Sequence, residues 1–219
     1  MLLVGPPGNG KTHAVKALIN KLNKPCLYVR SLSSDQNDNT HNSIRNVFDR
    51  ARIAAPCILV LEDLDSLVTD KNRSVFLNEM DGFTSNTGIV TLATSNHPEK
   101  LDPALAERPS RFDRKYQFDL PAQNERHSYL AMWNASLQTE LQLTAADTDS
   151  ISALTEGFSF AHLKELIVSS VTAWMNANEA RPASMGVLMT SQAALLRTQM
   201  TSQAAKSAEK KRKKKVEQE

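Results

Sequence analysis

Short, wholly apolar runs alternate along the first half of the chain with stretches whose apolar residues recur every three or four positions. Leu2-Leu3-Val4 has the pattern of a buried strand and runs straight into Gly-Pro-Pro-Gly. From Lys11 to Leu22, the residues Ala14, Val15, Leu18, Ile19 and Leu22 fall at helical spacing. Cys26–Val29 predicts a second strand and the polar segment 31–43 a loop. Ile44, Val47, Phe48 and Ala51 then mark one face of a helix that closes before Pro56. Ile58–Leu61 is apolar throughout and stops abruptly at Glu62-Asp63-Leu64-Asp65. Val75–Met80 predicts another helix, and Ile89–Ala93 another strand leading into Thr94-Ser95-Asn96. Strands with no polar face, separated by helices, imply a parallel sheet covered on both sides. The expected fold class is therefore α/β, a doubly wound parallel sheet.

The pattern changes after Pro121. Residues 123–177 carry helix-period stretches with little β-like alternation. Tyr129, Met132 and Trp133 form one such face, and Leu163, Leu166, Ile167, Val171 and Trp174 another. The expected organisation is an α/β core over 1–121 and a small helical subdomain over 122–180. Over 181–219 a segment rich in Ala, Ser and Gln and then Lys is expected to be frayed helix or disorder.

Composition narrows this picture. The 219 residues are 41% hydrophobic and 23% charged, which suits a soluble globular chain. No run approaches the ~20 apolar residues of a membrane helix, and the start has no secretory pattern. Cys26 and Cys57 each open an apolar run, as buried thiols of a reducing compartment do. An intracellular location, cytoplasmic or nuclear, is expected. The net charge of +2 conceals an asymmetry, because 206–219 holds seven Lys/Arg against three Glu. That leaves 19 basic and 21 acidic residues elsewhere, so the body is slightly acidic and ill suited to nucleic acid. The Lys210–Lys215 run reads either as a solvated tail or as a patch for import or an acidic partner. The five histidines show no metal-ligand spacing.

The candidate chemistry begins at Gly5-Pro6-Pro7-Gly8-Asn9-Gly10-Lys11-Thr12, which fits G-x-x-x-x-G-K-[ST] between a strand and a helix. Glycines at that spacing let backbone N–H groups curl around phosphates, and the following helix N-terminus favours negative charge. In such a loop Lys11 reaches the β/γ-phosphates and the Thr12 hydroxyl ligates Mg²⁺. Glu62 and Asp63 end a hydrophobic strand, where one carboxylate can face a metal shell and the next a water. Strands also end in solvated acids, and only the preceding loop lends this pair weight. Asn96, after a later strand, is open to two readings, a turn residue or an amide that holds water or phosphate oxygen. Arg108 and Arg111, three apart, form either a surface salt-bridge cluster or a pair projecting onto a neighbour's γ-phosphate.

Together these residues resemble the AAA family of ATPases, a branch of the AAA+ P-loop proteins. The resemblance makes Gly5–Thr12 the Walker A motif and Ile58–Asp63 the Walker B motif. It places the second region of homology over Ile89–Arg114, with Met80-Asp81-Gly82 before it. Gly157-Phe158-Ser159-Phe160-Ala161 looks like the lid's sensor-2 segment, which implies nucleotide contacts from Gly157 and Ala161. The resemblance further implies ATP and Mg²⁺ as cofactors, with Thr12 and Glu62 on the metal. It makes Asn96 sensor 1, and Arg108 and Arg111 the trans-acting fingers of a ring, most often a hexamer.

Three departures accompany it. The sequence opens on the first core strand, so an N-terminally truncated core is expected, lacking the family's preceding segment and part of its adenine pocket. The usual Asp-Glu of Walker B is reversed to Glu62-Asp63, which puts the shorter side chain in the base position. That order resembles the mitochondrial AAA proteins that assemble respiratory complex III. The segment Asp35–Thr40 has no aromatic where polypeptide-threading members carry a pore-loop triplet. The expectation is a Mg²⁺-dependent ATP hydrolase that remodels a protein client as an oligomer. The alternative is a weak or inactive truncated subunit that binds nucleotide and regulates intact partners.

Overall fold

In the computed structural model, residues 1–32, 40–81, 84–106, 111–176 and 184–216 are described. Five strands form one parallel sheet in the order β2-β3-β4-β1-β5. They are β1 (Leu2–Val4), β2 (Cys26–Val29), β3 (Cys57–Leu61), β4 (Ile89–Ser95) and β5 (Lys115–Gln117). Between them run α1 (Lys11–Leu22), α2 (Thr40–Ile53), α3 (Leu64–Leu67), α4 (Arg73–Asp81) and α5 (Pro103–Ala106). The chain thus has the expected doubly wound architecture. β5 follows no apolar run: Lys115, Tyr116 and Gln117 are all exposed on the sheet's edge, so periodicity gave no sign of it.

Side-chain alternation sorts the sheet into two faces. Leu2, Val4, Cys57, Leu59 and Leu61 pack with Ile44, Phe48 and Ala51 of α2 and Phe76 of α4. Leu3, Ile58, Val60 and Leu92 pack on the other side with Val15, Ala14, Leu18 and Ile19 of α1. The wholly apolar strands are so because each must satisfy both layers at once. Phe48 and Phe76 meet edge to face, with ring centroids 5.9 Å apart.

The chain folds as two compact units, Met1–Asp119 and Leu120–Glu219. Among its described residues the second unit is built of helices: α6 (Gln123–Ser136), α7 (Ala145–Leu154), α8 (Phe160–Met175) and α9 (Met185–Val216). Thr144 caps α7 by accepting from the Asp147 N–H at 3.1 Å, and Ser159 caps α8 by accepting from the His162 N–H at 3.3 Å. His162 thereby has a local structural partner. Leu163, Leu166 and Ile167 are core, with Val171 and Trp174 packed against it. Tyr129 and Trp133 pack there too, but Met132, read onto the same face, is 61% exposed. One residue's offset on a helix turns a side chain by about 100°, enough to carry it out of a narrow stripe.

The segment expected to be frayed helix or disorder contains α9, of 32 residues. Met185, Met189, Ala193 and Leu196 recur every three or four positions and complete the helical unit's core. Their neighbours are Ser, Thr, Gln and Ala, so this narrow apolar stripe is diluted in any average over the segment. Both tryptophans lie in this unit, so tryptophan fluorescence follows its unfolding alone. Met189→Ala, at a site 2% exposed, is expected to cost about 2–5 kcal/mol in a urea titration read that way. A variant as stable as the parent would mean that α9 does not dock.

Candidate functional site

The candidate residues gather where β1, β3 and β4 end. β1 hands the chain into the glycine loop at Gly5, whose φ of 140° is open mainly to glycine. A Cβ built there would lie 2.2 Å from the carbonyl oxygen of Phe118, the residue that follows β5. Gly5 therefore has two independent reasons to lack a side chain. The loop ends at Gly10, also left-handed, and α1 begins at Lys11 with no side chain capping its N-terminus. The first-turn N–H groups of such a helix have no partner within it, and they carry the positive end of its dipole.

Lys11 is buried, and its ammonium donates to the carbonyls of Gly5 at 2.6 Å and Pro6 at 2.9 Å. Burial lowers its pKa, against the opposing pull of Asp63 and Asp65. Asn9 is 5% exposed, and neither its Nδ2 nor its Oδ1 has a hydrogen-bond partner among the described residues. An orphaned amide in a loop of this shape is a group that a bound ligand or water satisfies. The donor set fits a polyphosphate.

Thr12, one residue into α1, donates from its hydroxyl to Glu62 Oε1 at 2.8 Å. Hydroxyl and carboxylate oxygens are the hard ligands that suit Mg²⁺. The other oxygen, Oε2, accepts from the Tyr28 hydroxyl, and Arg30 lies 3.8 Å from it. Burial opposes ionisation of Glu62, but the Tyr28 and Thr12 hydrogen bonds with the Arg30 and Lys16 charges hold its pKa below the usual glutamate value. Its neighbour is treated differently. Burial first, then the adjacent charges of Asp65 and Glu62, push Asp63 above the usual aspartate value, with Lys11 and His97 opposing.

Asp63 is also unusual in its backbone. At φ 53° and ψ 56° it is left-handed without being glycine, and it occupies the N-cap position of α3 without a side-chain capping bond. Its N–H donates to Thr94 Oγ1 at 3.1 Å, and its Oδ1 accepts from Asn96 Nδ2 at 2.7 Å. Ser95 donates from Oγ to Asp65 Oδ1 at 2.7 Å. All three residues after Ala93 are thus turned toward the acids that end β3.

The structure brings Lys11, Thr12, Glu62, Asp63 and Asn96 into one neighbourhood. Arg111 sits apart from them: its side chain is 6% exposed, paired with Asp81 and donating to the Ala104 carbonyl. Arg108 lies outside the described residues, as do Gly82 and most of the segment Asp35–Thr40. Gly157 belongs to the helical unit, left-handed at φ 80°, and Ala161 is exposed on the first turn of α8. Sequence reasoning missed Tyr28, Arg30 and Thr94. Only the pairing of β2 with β3 and of β3 with β4 brings them to the acids.

Comparison with known proteins bears on what this neighbourhood is. Residues 1–120 match the family described as "ATPase family associated with various cellular activities (AAA)". The chain belongs to the AAA family. Among AAA relatives, the ATP-dependent zinc metalloprotease FtsH of Mycoplasma genitalium is 34% identical over 186 residues, 76% of this chain and 25% of that protein. The FtsH of Acidothermus cellulolyticus is 36% identical over 185 residues, 76% of this chain and 27% of that protein. The chain spans about a quarter to a third of the length of the curated relatives it matches. A crystal structure of the FIGL-1 AAA domain in complex with ADP shares the fold, with a TM-score of 0.67 at 22% identity. That match covers 93% of this chain and 75% of the other. AAA proteins in general bind nucleotide with Mg²⁺ and form oligomeric rings. Among the described residues no helix is long and apolar enough to cross a membrane.

A stability test follows from Asp63. Because its folded-state pKa is raised, its ionised form weakens the fold at neutral pH, and that penalty disappears once pH falls below the ordinary aspartate value of ~4. Asp63→Asn is expected to raise the melting temperature by a few degrees at pH 7, Asn also being at ease in left-handed backbone. The charge-dependent part of the gain shrinks as pH falls toward ~4. A lower melting temperature at pH 7 would contradict this account.

Proposed function

We propose that the chain is the motor core of an ATP-driven machine: it binds ATP with Mg²⁺, hydrolyses it, and uses the cycle to remodel a protein client within a ring. The observation that carries this reading is the meeting of two pairs at the ends of adjacent strands, Thr12 with Glu62 at 2.8 Å and Asn96 with Asp63 at 2.7 Å. One pair is arranged to hold a metal and the other to hold a water. Placing both beside an uncapped helix N-terminus supplies the parts that phosphoryl transfer to water requires.

Within this reading the backbone of Gly5–Thr12 binds phosphates and Lys11 turns from its loop carbonyls to their oxygens. Thr12 and Glu62 hold Mg²⁺, which neutralises phosphate charge when bound. Asp63 orients the attacking water and takes its proton from it, a role that a raised pKa favours. Asn96 fixes the Asp63 carboxylate. Arg108 and Arg111 act across a subunit boundary, so Arg111 must leave Asp81 to do so. The relatives' names add ATP dependence to this reading. The zinc proteolysis in their names is said of those longer proteins, of which this chain spans about a quarter to a third. Two free cysteines, one of them exposed, support an intracellular address.

Phosphate release by the assembled protein tests the reading. Lys11→Ala is expected to weaken ATP binding by about 10–100-fold, the loss of a charge-assisted contact. Asp63→Asn is expected to retain binding and lose about 10²–10⁴-fold in kcat, the span of general-base catalysis. Unchanged turnover in both variants would rule out the site. Tight ATP binding without turnover, at concentrations where the parent assembles, would instead identify a regulatory subunit.

A further inference from the structure

Glu62 carries one more methylene than an aspartate, so holding it in one orientation costs it more rotamer freedom. A carboxylate that is to present one fixed oxygen to a metal needs its other oxygen restrained. Parallel pairing of β2 with β3 supplies the means. Tyr28 is in register with Val60, and Val29 with Leu61, whose successor Glu62 donates its N–H to the Val29 carbonyl at 3.1 Å. Side chains two apart on a strand share a face, so Tyr28, Val60 and Glu62 lie on one face of the sheet. Tyr28 and Glu62 are then diagonal neighbours, a separation that an aromatic side chain spans.

The Tyr28 hydroxyl makes that contact, donating to Glu62 Oε2, while Thr12 donates to Oε1 at 2.8 Å. The two oxygens of one carboxylate therefore have different partners from different elements, β2 and α1. Tyr28 is itself held: the Arg30 guanidinium lies 5.2 Å from its ring centroid, within cation–π range. Arg30 also stands 3.8 Å from Oε2, adding charge to the same oxygen.

We propose that Tyr28 is a positioning residue for the Mg²⁺ site: its hydroxyl fixes Oε2 of Glu62, leaving Oε1 directed to the side where Thr12 holds the metal. This rests on the reading of Thr12 and Glu62 as the metal pair. Arg30 supports the arrangement from just beyond the end of β2, against the Tyr28 ring and Glu62 Oε2. Nothing in the phosphate-loop motif or the acidic strand end specifies Tyr28, which belongs to the site through strand pairing alone.

The test measures affinity of the full chain for a fluorescent ATP analogue in EDTA and across a Mg²⁺ series. Tyr28→Phe removes only the hydroxyl and keeps the ring under Arg30. It is expected to bind the analogue in EDTA as the parent does, and to need about tenfold more Mg²⁺ for the half-maximal gain, at the lower end of losses seen for outer-shell partners of metal ligands. Arg30→Gln is expected to shift the same midpoint less. The melting temperature without Mg²⁺ should stay at the parent value, separating positioning from general support of the fold. A Tyr28→Phe midpoint equal to the parent's, while Glu62→Gln abolishes the Mg²⁺ gain, would overturn the role of Tyr28 alone. No Mg²⁺ gain in the parent would overturn the metal pair and the proposal together.

Discussion

The rest of the structure hangs on the approach of one backbone to another at Gly5. β1 is three residues long and lies between β4 and β5, so it cannot drift sideways as it ends. At its exit the Phe118 carbonyl stands where any side chain on Gly5 would be. The chain can turn into the phosphate loop only because there is nothing to clash. With the turn made, α1 starts where its N-terminus and Thr12 face the end of β3. A larger residue would force β1 and β5 apart, and with them the seam on which α1 is mounted.

Three acids crowd the other side of that seam within four residues, Glu62, Asp63 and Asp65. Like charges this close must be handled individually. Glu62 receives two hydroxyls and nearby cations, Asp65 receives the Ser95 hydroxyl, and Asp63 receives an amide while keeping a raised pKa. The strand end thus separates one carboxylate held below its usual pKa from one pushed above it. The covalent difference between them is one methylene. Their surroundings do the rest.

Much of this is legible in the sequence. The apolar strands could be read because burial on both faces leaves them no polar residue, and the loop because its glycine spacing meets a backbone requirement. α1 and β2 fall where periodicity puts them. What escaped did so for identifiable reasons. β5 lies on the edge and faces water, so it carries no apolar signature. The α9 stripe is four residues wide in its core contacts and diluted by polar neighbours. Tyr28 and Thr94 join the site through pairing between strands far apart in sequence, which no local pattern encodes. Arg111 is open in the sequence to a salt-bridge cluster or to a projection onto a neighbour, and only the fold supplies the partner it has in this chain, Asp81.

The left-handed turn at Asp63 has a mechanical consequence. In a continuing strand the carboxylate would be aimed by side-chain torsions alone. Here the residue is also the first joint of α3, with its carbonyl accepting from the Ser66 and Leu67 N–H groups. A rotation of that joint swings carboxylate and helix together, as a key and its bow turn together. The short helix therefore acts as a handle on that carboxylate. Whatever presses on α3 also re-aims the Asp63 oxygens.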